Sequence, residues 1–140
     1  MIDVLVHIGD TMPAAEDITT AQALAGGLGA TLHVIYTLAD PLSAGWQSEM
    51  NAAGMPQLHE AMEAEARERL RPIFGADADA PTIQIRTGDP IRAIADYAAD
   101  AKIDLIVVGL AGEEDAKLGP ALLEATSCSV LAWRHRRGRK

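Results

Sequence analysis

Only one cysteine, Cys128, occurs in the 140 residues. No disulfide can form within the chain, and a reducing compartment suits it. Cys128 stands just before an apolar run and reads as a small packed residue. Long apolar stretches are missing too. No run approaches the ~18 residues that a membrane span needs. The opening MIDVLVHIGD carries Asp3 early and no basic start, so a secretory leader is not expected. The chain is therefore expected to be cytoplasmic, with no membrane partner.

Basic charge is scarce outside the last residues. The net charge is −8. Five of the twelve basic residues (Arg134, Arg136, Arg137, Arg139 and Lys140) fall in the last seven positions, which leaves seven basic against twenty acidic residues, a charge of −13, in the body. A body this acidic is a poor partner for nucleic acid or an anionic membrane. The end HRRGRK reads as a disordered, solubilising tail over 135–140. Residues 1–134 read as one α/β domain, and a hydrophobic content of 49% argues against disorder.

Catalytic and metal-binding patterns are likewise absent. His59 and His135 have no spaced partners that would make a metal motif. Ser127-Cys128-Ser129 has no nearby histidine, and no G-x-S-x-G elbow occurs. No catalytic residue, metal ligand or enzyme activity is expected. His7 and His33 lie inside apolar runs one strand apart. They read first as packed, hydrogen-bonded residues, with a metal pair or proton relay as the alternative.

What the sequence does have is a regular alternation. The organising stretch is Asp104–Gly112, DLIVVGLAG. Leu105-Ile106-Val107-Val108 show no polar alternation, which marks a strand buried on both faces, as in a parallel sheet covered by helices. The glycines Gly109 and Gly112 follow where such a strand turns. In open parallel sheets ligands sit beyond the carboxyl ends of the strands, so this turn is the candidate wall of a site.

Taken in order, Ile2–Ile8 reads as a first strand. A helix follows with Ile18, Ala21, Ala25 and Leu28 on its apolar face, stopped by Gly26-Gly27-Leu28-Gly29. Thr31–Tyr36 is a second strand. From Thr37 to Gly54 the pattern breaks into a long connection of the kind that is often functional. There Trp46 reads as packing on its own helices, with a cleft cap or partner anchor as the alternative. Met55–Phe74 is a solvated helix with Leu58, Met62, Ala66 and Leu70 inward and ion pairs at helical spacing outward. Thr82–Arg86 is a third strand. Asp89 and Pro90 are an N-cap and first helical residue, leading a helix whose inner face is Ile91, Ile94, Ala95 and Ala98. After the 104–109 strand come a short helix near Pro120–Ala125 and a last strand, Ser129–Trp133. The order β-α-β-α-β-α-β-α-β predicts βαβ units and a parallel sheet.

The segments VLVHIGDT (Val4–Thr11), LAGGLGATLHVIY (Leu24–Tyr36), TGDPIRAIADYAADAKIDLIVVG (Thr87–Gly109) and SCSVLAW (Ser127–Trp133) together resemble the universal stress protein family, over nearly the whole chain. The resemblance implies a doubly wound, five-stranded, Rossmann-like sheet of order 3-2-1-4-5. It implies a homodimer paired through the last strand, here Val130, Leu131, Ala132 and Trp133. An unpaired apolar edge invites such pairing. It also implies a role in the stress response. Some members bind ATP through a strand-end aspartate and a glycine loop, G-x2-G-x9-G followed by Ser or Thr. On that pattern the nucleotide contacts would fall at Gly9, Asp10, Thr11, Val34, Gly109 and Gly112.

This sequence departs from the pattern. Gly9 stands at the usual aspartate position, with Asp10 one residue later. The first two glycines are kept, but the third position is Leu122. Gly119 is the nearest glycine, and Pro120 after it has no amide hydrogen. Glu113-Glu114-Asp115 would bring three carboxylates to a triphosphate, each contact costing on the order of a kcal/mol or more. A divalent cation bridging Asp10 or the 113–115 cluster is the one rescue; otherwise the cluster is a solvated loop leading into a helix. The expectation is a dimeric stress-response regulator or protein-interaction module with an unknown protein partner and no cofactor. The alternative is an ATP binder using Mg²⁺, with slow hydrolysis.

Overall fold

The computed structural model describes residues 2–8, 15–38, 55–76, 81–110 and 117–134. Through them the chain runs β1 (Asp3–Ile8), α1 (Ala15–Leu28), β2 (Thr31–Leu38), α2 (Met55–Phe74), β3 (Ile83–Thr87), α3 (Pro90–Ala101), β4 (Leu105–Leu110), α4 (Leu118–Ala125) and β5 (Ser129–Arg134). The strands form one sheet in the order β3-β2-β1-β4-β5. Every neighbouring pair is parallel. The parallel α/β architecture is the one the alternation of elements predicts, and the strand order is the one the family resemblance implies.

Alternation along the strands sends side chains to two faces, and both are sealed. On one face Val4, Val6 and Ile8 of β1 join Val34, Tyr36 and Leu38 of β2, under Ala21 of α1 and Ala66 and Leu70 of α2. On the other, Leu5, Ile35, Ile106 and Val108 pack beneath Ile94 and Ala98 of α3 and Leu118 and Leu122 of α4. The register sets Leu5 opposite Ile106 and Val6 opposite Val107, so β4 feeds both layers. This is why its sequence shows no polar positions.

Several expectations shift by a turn or less. Gly26 and Gly27 lie inside α1 and do not stop it. The stop is Gly29, at φ +65°, where Gly29 N–H donates to Gly26 O and Ala30 N–H to Ala25 O. This bond pair closes a helix through a left-handed residue, and glycine adopts that backbone without strain. Leu28 is 46% exposed, so the inner face of α1 ends at Leu24 and Ala25. β2 continues two residues past Tyr36, and α4 starts at Leu118 rather than Pro120. In α3, Ile94 and Ala98 are buried, but Ala95 is only half-buried. The side chains of Ile18 and Leu58, and residues Trp46 and Met50, lie outside the described residues.

α3 is capped as its sequence predicts. The Asp89 carboxylate accepts from Ile91 N–H at 3.1 Å, and Pro90 occupies the first turn. Lys102 ends the helix at φ +57°, its N–H donating to Ala98 O. α2 carries Glu63–Arg67, Glu65–Arg69 and Glu68–Arg71 pairs on its exposed side, where solvent screening leaves each with little effect on stability.

Two substitutions rank these contributions. Ile106→Ala, at the centre of the α3–α4 face, should lower unfolding free energy by about 2–5 kcal/mol. Asp89→Ala should lower it by about 1 kcal/mol through the lost cap. Urea titration with an unchanged m-value measures both, and equal losses would contradict the packing described.

Candidate functional site

The strand order places a topological switch point beside β1. From β1 the chain moves to β2 and then to the edge strand β3. It then crosses back to β4 on the other side of β1. The crevice above the carboxyl ends of β1 and β4 is where such folds bind ligands. His7 stands one residue before the end of β1, opposite Val108 of β4 and Ile35 of β2. Its Nε2 shares a hydrogen bond of 2.8 Å with Thr37 Oγ1, and Thr37 is buried. Among the described residues, the His7–Thr37 pair brings polar side chains to the carboxyl-terminal ends of β1 and β2.

Of the candidate nucleotide contacts, Gly9, Asp10, Thr11 and Gly112 lie outside the described residues, as do Glu113–Asp115. Gly109 is inside β4, opposite Trp133 of β5. Val34 lies in the buried core under α1 and α2, opposite Val6 in mid-strand, and is not brought to the strand ends. Leu122, where the third loop glycine would fall, is in α4 and 0% exposed. Gly119 is buried in the first turn of the same helix.

His7 and His33 share a sheet face but take different partners. His33 is 9% exposed. Its Nε2 lies 3.0 Å from Asp3 Oδ1, and its Nδ1 lies 2.7 Å from Tyr97 Oη. The carboxylate offers only acceptors, so Nε2 carries hydrogen and donates to it. The bare Nδ1 of the neutral ring then accepts from the phenol. Arg86 of β3 stands over the Tyr97 ring, its Cζ 6.0 Å from the centroid. Burial pushes the pKa of the Tyr97 phenol up, against a lowering by the Arg86 charge. Among the described residues no group of three His, Cys, Asp or Glu side chains could hold a metal. The packed, hydrogen-bonded reading describes both histidines.

Sequence reading missed Asp3, Tyr97 and Arg86. Parity held the signal: Asp3 and His33 lie on the same face once β1 and β2 are paired, and Tyr97 follows Ile94 by three on the inner side of α3. Beside them, Arg86, Thr87, Asp89, Arg92 and Asp96 help line a groove of about 360 Å³ along α3, mixed in charge. Cys128 is half-buried and its thiol donates to Ile103 O at 3.1 Å, in keeping with a packed role.

β5 forms the edge beyond β4. Val130 packs against the α3–α4 core, whereas Leu131 on the opposite face is 40% exposed. Ala132 is exposed, and Trp133 stands opposite Gly109 of β4. Among the described residues, no helix is long and apolar enough to cross a membrane.

Known proteins place this geometry. The model of the universal stress protein family matches residues 3–133. No curated protein matches the sequence significantly. The structure of a universal stress protein from Lactobacillus plantarum is 27% identical, with a TM-score of 0.69 over 95% of this chain and 97% of that one. Two chains from Pseudomonas aeruginosa, each 23% identical, have a TM-score of 0.64 over 95% of this chain. This chain spans only 47% of each of them, about half their length. A universal stress protein solved in complex with cAMP is 22% identical, with a TM-score of 0.52 over 96% of this chain and 98% of that one. By a family match that runs from β1 to β5, and by a fold shared with its solved members, the chain belongs to the universal stress protein family.

Proposed function

We propose that the protein is a homodimeric stress-response regulator, acting in the cytoplasm by binding another protein rather than by binding ATP tightly or catalysing a reaction. The observation that carries this reading is Leu122. A glycine loop that wraps phosphates needs flexible backbone and free amide donors at that position. Here the position is helical and its side chain is fully enclosed in the α3–α4 core. Pro120 removes one further donor in the same turn. The sequence after Gly112 adds Glu113, Glu114 and Asp115, which oppose a triphosphate. The exposed Leu131 and Ala132 on the edge strand support pairing of two copies through β5.

A second reading keeps a nucleotide in the crevice. It draws support from Gly109, the penultimate residue of β4, beside the switch point, and from the family member solved with cAMP. A nucleotide without a triphosphate escapes much of the repulsion from residues 113–115. ATP with Mg²⁺ is the stricter form of the same alternative.

Melting curves separate the readings. A ligand present at 100 times its Kd adds about 2.7 kcal/mol to stability, enough to raise Tm by several degrees. Millimolar ATP with Mg²⁺ should leave Tm unchanged. A clear rise would overturn the proposed reading, and a rise with cAMP alone would favour the second. For the dimer, Leu131→Lys should convert the protein to a monomer in sedimentation with its circular dichroism intact. A variant that remains dimeric would exclude the β5 edge.

A further inference from the structure

The two tyrosines of the chain, Tyr36 and Tyr97, are held in opposite ways. Tyr36 is fully buried, and its Oη accepts from Arg69 at 3.2 Å. A guanidinium has no lone pair to take a proton, so the Tyr36 hydrogen has no acceptor in that partner. Tyr97 is half-buried on α3, and its Oη meets His33 Nδ1 at 2.7 Å. His33 is backed in turn by Asp3, with its Nε2 3.0 Å from Oδ1. The imidazole edge meets the phenol ring at a centroid distance of 5.7 Å and an interplanar angle of 63°.

This is the arrangement that lets a phenol lose an electron. An oxidised phenol is strongly acidic, and its oxidation is favourable only if the proton leaves with the electron. A base in hydrogen-bond contact supplies that path. We propose that Tyr97 is a redox-active tyrosine, oxidised to a neutral radical by a diffusible one-electron oxidant such as a small oxyradical, with His33 as its proton acceptor. The electron passes from the ring to the oxidant, which is reduced. The Oη–H bond breaks and the proton moves to His33 Nδ1. His33 becomes imidazolium, donating from Nε2 to Asp3 and from Nδ1 to the radical oxygen, so every buried group keeps a partner.

Two further features agree. Burial holds the phenol proton on against simple ionisation, so phenolate chemistry is suppressed and the coupled step is the open route. Arg86 over the ring disfavours a positively charged ring. This also requires that proton and electron leave together. The relay lies at the amino-terminal half of β1 and β2, away from the crevice. Its function does not depend on whether a nucleotide binds there.

The test oxidises the full chain by flash photolysis with a ruthenium tris-bipyridine sensitiser and persulfate, in the presence of a nitroxide that traps carbon radicals, followed by peptide mass mapping. In the unaltered protein the adduct should fall on Tyr97. Adducts confined to Tyr36, Trp46 or Trp133 would overturn the proposal. Transient absorption of the tyrosyl radical should disappear in Tyr97→Phe and persist in Tyr36→Phe. His33→Gln, which removes the base but leaves a polar side chain, should slow radical formation by about 10²-fold, within the range a positioned proton acceptor contributes. A solvent deuterium effect on that rate should be present in the wild type and lost in His33→Gln. An unchanged rate in His33→Gln, with no deuterium effect in the wild type, would show that the histidine takes no proton and would sink the assignment.

Discussion

A parallel sheet covered on both faces must be apolar on both faces, and the rest of this molecule follows from that. Each central strand sends alternate residues into two separate cores. A polar side chain at any such position gives up water and must find a partner inside. The cost of failing is about 1–3 kcal/mol for each unsatisfied group, a sizeable share of the stability of a domain this size. Chemistry is thereby driven to the strand ends and to a few enclosed exceptions. His33 and Thr37 are such exceptions among the described residues, and each is hydrogen-bonded by another side chain.

The same constraint bears on the crevice. A ligand above β1 and β4 depends on the segment that leaves β4, and that segment must also deliver α4 to the sheet. With α4 starting at Leu118, Leu118 and Leu122 are one turn apart and both point into the α3–α4 core. Removing the Leu122 side chain to make a phosphate loop would open a cavity and cost several kcal/mol. Glycine in the middle of the helix would cost about another 1 kcal/mol. The helix and the loop compete for the same residues, and here the helix holds them.

Most of the fold was legible because its signal is periodic and local. The unbroken run Leu105–Val108 announced a doubly buried strand. Asp89-Pro90 announced a helix start, which the Asp89–Ile91 bond accounts for. Misplaced boundaries have specific causes. Gly26 and Gly27 look like a stop but are tolerated in α1, because only Gly29 has the positive φ that ends a helix. Leu28 fits the apolar spacing yet falls on the last turn, beyond the reach of the sheet. Pro120 marks a first turn and so points to a helix start two residues beyond the true one, because Leu118 is drawn in by the core ahead of it. Much less of the site was legible. Asp3, His33 and Tyr97 are separated by long stretches of sequence, and only the register Asp3↔Thr31 and Leu5↔His33 brings the first two together. No spacing rule in one dimension carries that information.

The register also decides how the polar groups are divided. Asp3 and His7 share a face of β1, but four residues of extended strand put about 13 Å between them. Too long for one hydrogen-bond network, that interval leaves Leu5 and Ile35 packed between the two pairs. His7 therefore belongs with Thr37 at the carboxyl end, and His33 with Asp3 and Tyr97 toward the amino end. Both networks tie β2 to β1, the first at the carboxyl end and the second toward the amino end, and only the second reaches α3 as well. A change at the crevice can leave the docking of α3 intact, since the apolar layer between the two networks carries no proton and accepts no charge. Two chemically distinct ends on one sealed sheet are what the parallel architecture permits, because its interior admits neither.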